Sequence, residues 1–570
     1  MARNIGVNFN GKRIVRPGAH SRIDSQGLGA FGSSSEKKLI LLGSSQGGEP
    51  NKYHSFTNYS EARNTLRGGN LLKAAELAWA PSGDGVGAGE IGFVRVEEAT
   101  QGVLDKAGFK LTSKLYGSEA NKIQAKLEDG SIAGSKKLTV YFWTDNAREI
   151  YDQLGPVFNF KYTGADAYAG LTIQADANGK AEKFIVKTGA DKATATELVA
   201  YDLGATAEFK EVNKLINEIG SHPELSASVT LAGNKTLDTD VLDAVADQDI
   251  KTPFIVTALK GDIESQLAYS RLVTVAVKDG EVENFESEYL TGGSNGSVPA
   301  SWADKLDLVS GEGGYIIVPL TADEAIHAEV ARYVESQSNN EKNEMRAFYG
   351  GGMGETVDQA INRAVTLNSH RAVQCYPAIT RKAADNTTES LPAYFTAALV
   401  AGRSAGVPVA EPVTFDYLNL IGVEKVLSSG EIDKLLENGV TPIEYVRTRN
   451  RKGFRVAQCV TTYQDDNNPS YRENSISELM DFLNIELREH LESRFVGTKG
   501  TAVTGALIKN EVQSFLDQKV REEWLVEYDP ESVVVLDGEV VEVSYAAMPV
   551  TSVNYILITG SFYRSALTAS

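Results

Sequence analysis

Gly402-Arg403-Ser404-Ala405-Gly406 is where residue types and spacing in this chain come nearest to a catalytic motif, the nucleophile pattern G-x-S-x-G. Such a serine needs a strand entering a sharp strand-to-helix turn, which lifts the hydroxyl clear of the backbone. The approach here is instead the helical pattern Tyr394, Ala397, Ala398, Ala401. That places Ser404 at a helix C-terminus, where glycine is the usual terminating residue. The one histidine downstream, His490, lies on the flank of an amphipathic pattern with no evident Asp to orient it. A serine hydrolase reading therefore rests on Ser404 alone. Gly350-Gly351-Gly352-Met353-Gly354-Glu355-Thr356 sits between strand and helix patterns, where phosphate loops occur. It lacks both the Lys of G-x-x-x-x-G-K-[ST] and the spacing of G-x-G-x-x-G, and reads as a tight turn.

Metal chemistry fares no better. Asp238, Asp240, Asp243, Asp247 and Asp249 lack EF-hand spacing, and Val241, Leu242 and Val245 at helical intervals favour a solvated acidic helix face. The histidines (His20, His54, His222, His327, His370, His490) show no H-x-x-x-H pairing. Cys375 and Cys459, far apart in sequence, suit a reducing compartment and offer no disulfide framework. The residues assign no catalytic, metal or cofactor site, and the chain reads as not an enzyme.

A chain of 570 residues can bury several cores, roughly three to five domains. Its 56 basic and 76 acidic side chains leave a net charge of −20, which makes it a poor ligand for nucleic acid or anionic membranes. Residues 1–40 run the other way: Arg3, Lys12, Arg13, Arg16, Arg22, Lys37 and Lys38 face only Asp24 and Glu36. That segment is either a solvated tail or a basic arm for the acidic body of a neighbouring subunit. The N-terminus has no charged-then-apolar signal pattern, and no apolar run approaches the ~20 residues of a membrane span. A soluble protein made in a cytoplasm is expected.

The elements that would position function are concentrated at 473–564. Ser475 and Glu478 fit a capping box, followed by a helical stripe of Ile476, Leu479, Met480, Leu483, Leu487 and Leu491. A second helix carries Ile508, Val512, Phe515, Leu516 and Val520, and Asp537-Gly538 joins two hairpin strands. A third strand over 550–563 is apolar on both faces: Val553, Tyr555 and Leu557 on one, Ile556 and Ile558 on the other. An uncovered edge of that kind is a liability unless it attaches to something, which is the first sign of a protein that joins copies of itself. At the other end Ile5, Val7 and Phe9 alternate with polar residues as one strand that reads as lacking a local partner. Between the termini, strands at 39–43 and 91–96 open an α/β sheet, and βαβα alternation resumes from 313 to 405. The β-rich stretch between them reads as an insertion into one mostly parallel, doubly wound domain, with a single helix around Val212, Leu215, Ile216 and Ile219.

Several stretches in fixed order resemble one family. They are Pro17-Gly-Ala-His-Ser-Arg-Ile-Asp24, Thr291-Gly-Gly-Ser-Asn-Gly296, Gly314-Tyr-Ile-Ile-Val-Pro-Leu-Thr321, the run from Leu391 to Arg403, Val460-Thr-Thr-Tyr463 and Phe495-Val-Gly-Thr-Lys499. Together they are similar to the tail sheath proteins of contractile-tail bacteriophages, in particular large myophages of Gram-positive bacteria. The matches cover the first ~100 residues and everything from about 290 onward. The resemblance implies an N-terminal arm (1–38), a subtilisin-like doubly wound α/β domain without a triad (39–96 and 305–450), a protruding β-rich insertion of one or two subdomains (97–304), and an α+β inner domain with a C-terminal arm (451–570). It implies subunits joined by strand exchange, with Ile5, Val7, Phe9, Val553, Tyr555, Ile556, Leu557 and Ile558 at the contacts. Gly11, Gly27, Gly29 and Gly32 would be hinges. Stacked hexameric rings would surround a tail tube protein between baseplate and tail terminator proteins, and contraction would drive the tube through the host envelope for genome ejection. No cofactor, direct nucleic-acid contact or membrane insertion is implied, and the protein would be a virion component synthesised in the host cytoplasm. Lys509, Lys519 and Arg521 on the second C-terminal helix either face the tube or form an ordinary solvated face. The sheath of a phage-derived bacteriocin or secretion system would share the same physics and is the alternative reading.

Overall fold

The structure, a computed structural model, describes residues 37–204, 207–383, 386–449, 451–465, 469–496, 505–536 and 542–551, with the backbone of Val7–Phe9 and Lys12–Ile14. Its centre is one nine-stranded sheet. In chain order the strands are Leu39–Gly43 (β1), Tyr53–Phe56 (β2), Ile91–Arg95 (β3), Ile316–Pro319 (β4), Arg346–Gly350 (β5), Ala372–Tyr376 (β6), Tyr417–Leu418 (β7), Val440–Arg447 (β8) and Lys452–Val456 (β9). In space they run β7-β9-β8-β6-β5-β4-β1-β3-β2. The six from β8 to β3 are parallel, and antiparallel pairs occur only at the two ends. Leu39 lies opposite Ile316, so chain from both sides of the long β-rich stretch shares this sheet.

Parallel strands are covered on both faces and need continuous apolar runs, and β1, β3, β4, β5 and β6 are buried throughout. Helices Asn70–Trp79 (α1) and Ala393–Gly406 (α4) cover the face bearing Leu39, Leu41, Phe348 and Val373. Helix Glu324–Asn340 (α2) covers Ile40, Leu42, Ile317 and Tyr349 on the other, while Val357–Leu367 (α3) packs on Tyr376 and Val440. The fold is mixed α/β.

The 97–304 stretch holds two separate cores. One gathers Leu111, Ala125, Val140, Phe142, Leu154 and Val273; the other gathers Phe158, Phe160, Leu171, Phe184, Leu215 and Val256. Strands such as Ala147–Leu154 and Phe285–Tyr289 escape a period-two reading because their outward faces carry charge and their inward faces are only half buried. The acidic run is not a helix. Asp240 lies in a short 3-10 turn, Asp247 and Asp249 lie in a strand, and Asp243 accepts from the backbone N–H of Leu259 at 2.7 Å, at the start of the next helix.

At the C-terminal end, helix Asn474–Phe495 (α5) begins two residues earlier than a capping box at Ser475 would place it. Ser475 donates to Glu473 at 3.1 Å, and Glu478 is drawn into a buried ion pair instead of reaching back to a cap. Helix Gly505–Arg521 (α6) packs on the second half of α5. Strands Val534–Leu536 and Glu542–Ser544 pair, as do Leu525–Tyr528 and Ala547–Pro549. Val553, Tyr555, Ile556, Leu557 and Ile558 lie outside the described residues, as do Ile5, Gly11, Gly27, Gly29 and Gly32. Val7–Phe9 does have a local partner. It pairs with Lys12–Ile14, Val7 opposite Ile14, and Asn10-Gly11 between them is a two-residue hairpin signal that a strand-only reading overlooks.

Candidate functional site

The first three turns of α5 bury what a helix usually shows to water: Asn474, Ser475, Ser477, Glu478 and Asp481. Apart from Ser475, which donates to Glu473, they are answered from the central sheet or from the chain just before its first strand. Asp481 accepts from the Tyr315 hydroxyl and from Arg346, both at 3.0 Å, and pairs with Arg371 at 2.7 Å. Arg346 also donates to Tyr315 Oη at 2.8 Å and to the Asn474 carbonyl at 3.1 Å. Glu478 pairs with Lys37, whose ammonium donates to the carbonyls of Ser404 at 3.1 Å and Pro408 at 2.9 Å. Burial pulls the Lys37 pKa below its ordinary value, partly offset by Glu478, and pushes the Tyr315 phenol well up.

Lys37, Arg346 and Arg371 therefore converge on Glu478 and Asp481 in a buried junction, with the Phe482 ring tilted against Tyr315 at 4.6 Å between centroids beside it. Such ions are costly to bury and hold only when fully paired, which fixes the helix in one geometry. Further along, Arg488 pairs with Glu344 at 2.7 Å and Lys342 with Glu492 at 2.8 Å, while Arg494 and His490 both engage Glu511 of α6. Leu483 and Leu487 pack into the C-terminal core. One helix is thus shared between the central sheet and the C-terminal unit, and Lys37 ties the root of the N-terminal segment to the same place.

The arrangement positions elements; it does not activate a nucleophile. Ser404 is buried in the last turn of α4, at the helix C-terminus where the sequence pattern places it and not on a strand-to-helix turn, so the geometry a G-x-S-x-G serine requires is absent at this position. Its glycines serve packing, not termination. A Cβ on Gly402 would collide with the backbone of Ala78 in α1, and one on Gly406 with the backbone of Gly87. In the glycine-rich turn after β5 the N–H of Gly354, held at φ +72°, donates to the Glu424 carboxylate at 2.9 Å, so a carboxylate of the chain stands where a phosphate would bind. Cys375 and Cys459 are both buried and free, and burial pushes the Cys459 thiol up to about 12.

Of the three cations on α6, Lys519 does not stand on an open face. It is buried between Glu486 and Glu522 (2.6 Å to the latter), with its ammonium 3.9 Å over the Trp524 ring, because the C-terminal core closes around its stem. Arg521 is exposed and Lys509 half-buried. Sequence reasoning missed the junction. Its one local signal was Glu478 and Asp481 one turn apart, interleaved with the apolar stripe of α5.

The phage tail sheath protein central domain family matches residues 312–462, and the phage tail sheath C-terminal domain family matches 466–563. A protein of Enterococcus phage phiEF24C is 42% identical over 566 residues, spanning 98% of this chain and 99% of that one. A tail sheath protein of Bacillus phage SP01 is 38% identical, spanning 98% of this chain and 97% of its own length. Among solved structures, the sheath tail protein of Desulfitobacterium hafniense is similar in fold, with a TM-score of 0.58 at 14% identity over 94% of this chain and 97% of that one.

Proposed function

The chain belongs to the phage tail sheath protein family, and from that premise we propose that its copies stack as hexameric rings around a tail tube and shorten to drive the tube through the host envelope. It is a structural component of the virion. The shared helix α5 is the observation that supports the mechanical part of this reading. With five buried charges pairing α5 to the central sheet and its other half in the C-terminal core, both units move as one body. Rearrangement between extended and contracted states then falls on the contacts between subunits, where packed interfaces switch between discrete arrangements. The extended state is held by a kinetic barrier.

The inner unit is residues 451–570 less β9 (Lys452–Val456), which pairs with β8 and so belongs to the subtilisin-like α/β domain of 39–96 with 305–450, and the protruding insertion is 97–304. The joints between subunits are strand additions by the arms, using Val7 and Phe9 of a ribbon that pairs with no third strand among the described residues, together with Ile5 and 553–558. The tube meets α6 at Arg521 and Lys509. Tube, baseplate and terminator proteins are its partners, and it is synthesised in the host cytoplasm. Electron microscopy of the purified chain, alone and with tail tubes, tests this: striated tubes with six-fold end views are expected, and dispersed subunits under both conditions would refute it. Removing residues 1–10 is expected to leave soluble subunits that form no tubes; tubes from that variant would refute the arm assignment.

A further inference from the structure

Chain net charge is −20, yet the 440–456 hairpin carries five basic side chains against one acidic. Arg447, Arg449, Arg451 and Lys452 are exposed at its tip, and among the described residues none of the four has a carboxylate partner. Arg455 pairs with Glu444 at 2.6 Å. Aromatic rings lie directly beneath. The Arg451 guanidinium sits 3.5 Å over Tyr417 and that of Arg455 3.8 Å over Phe415, two cation–π pairs side by side. The flanking strand β7 is only two residues long, so this end of the sheet is barely covered.

Phe415 adds an independent sign. It is 50% exposed and held at φ +65°, a left-handed conformation that bulky residues rarely adopt. Its N–H is fixed to the Val456 carbonyl at 2.8 Å, so the strain is imposed by the sheet, and an aromatic ring is displayed where glycine or asparagine would fit more easily. Arg and aromatic residues together, with charge of one sign, are the composition of an interface centre and not of an idle surface.

We propose that this guanidinium–aromatic patch, Phe415, Tyr417, Arg449, Arg451 and Arg455, docks an acidic surface of a second copy of the chain. Charge selects that occupant: with the hairpin's excess of four positive charges set aside, the rest of each copy is more acidic still, so another subunit is the complementary partner present at the highest local concentration. The inference rests on the sheath reading and adds a contact separate from the strand arms.

The test compares the full chain with R449E/R451E and with Phe415→Gly, following self-association by sedimentation and electron microscopy across a salt series, and the melting of each soluble subunit. About tenfold more R449E/R451E protein is expected to be needed for assembly, and wild-type assembly is expected to weaken as salt rises. Phe415→Gly is expected to weaken assembly while leaving subunit melting unchanged or raised, because it removes strain; a purely structural role would lower melting. Assembly of R449E/R451E at the wild-type concentration overturns this inference alone. A wild type that stays monomeric under every condition, tail tubes included, overturns it together with the sheath reading. Binding of duplex DNA by the wild type that R449E/R451E abolishes would replace the second copy with nucleic acid.

Discussion

Asp481→Asn is the most informative single change at the buried junction. The carboxylate serves two guanidiniums and a phenol, with Arg346 fully buried and Arg371 nearly so. An amide of the same shape keeps the packing but leaves two buried cations with Glu478 alone nearby, itself engaged by Lys37. Removing one partner of a buried pair costs about 3–5 kcal/mol, and two stranded cations favour the upper part of that range. Against a domain stability of about 5–15 kcal/mol, this is enough to release α5 from the sheet without unfolding the sheet itself. Hydrogen exchange of peptides from 474–495 reads it directly: protection should fall by about three orders of magnitude or more, while β4 and β5 keep theirs. Lys342→Ala, which removes the partner of Glu492 on the same helix, is the control. Its pair with Glu492 is exposed on both sides and screened by solvent, so its loss should leave protection nearly unchanged. If Asp481→Asn changed protection no more than Lys342→Ala does, the junction would not be what holds α5, and the single-body account of the subunit would fail with it.

Acid should weaken the central domain through His327, which is buried against Tyr349 at 4.9 Å with Nε2 2.9 Å from the Thr321 carbonyl, and which burial pushes down to about 4. The unfolded chain takes up this proton near 6.5, so between 6.5 and 4 the unfolded state holds more protons and stability falls with falling pH. The loss is about 2 kcal/mol at pH 5, read as a urea-midpoint shift that His327→Gln should flatten. Gly402→Ala should cost about 1–3 kcal/mol, seen as a lowered melting temperature, because the added methyl meets helix backbone that cannot yield as a side chain would. Cys375 and Cys459 should resist maleimide in the native protein and react on denaturation; rapid native labelling would contradict their burial.

The parts of this molecule legible in its sequence are those where one short segment determines its own environment. β1 (Leu-Ile-Leu-Leu-Gly) can only be a strand covered on both faces, and the alternation after 313 follows from such runs separated by helical patterns. Asn10-Gly11 was equally local and marks a hairpin at the N-terminus. The junction is different in kind. Lys37, Tyr315, Arg346, Arg371 and Asp481 are spread over more than 400 residues, and no period or motif joins them before the sheet brings β1, β4, β5 and β6 side by side. Charge misleads here for the same reason. Lys519 reads as one more cation on a solvated helix until Glu486 and Trp524 are seen to enclose it, whereas Arg449 and Arg451 stand out once Tyr417 is seen beneath Arg451 and neither has a carboxylate partner among the described residues. A lysine stem and an arginine tip are amphipathic, so the same letter serves a core or a surface, and only the fold decides which. It follows that exposure alone does not free a cation, since exposed Lys342 and Lys180 are already paired within the subunit, whereas Arg447, Arg449, Arg451 and Lys452 share one hairpin whose strand pairing leaves them without a carboxylate among the described residues, available to another copy.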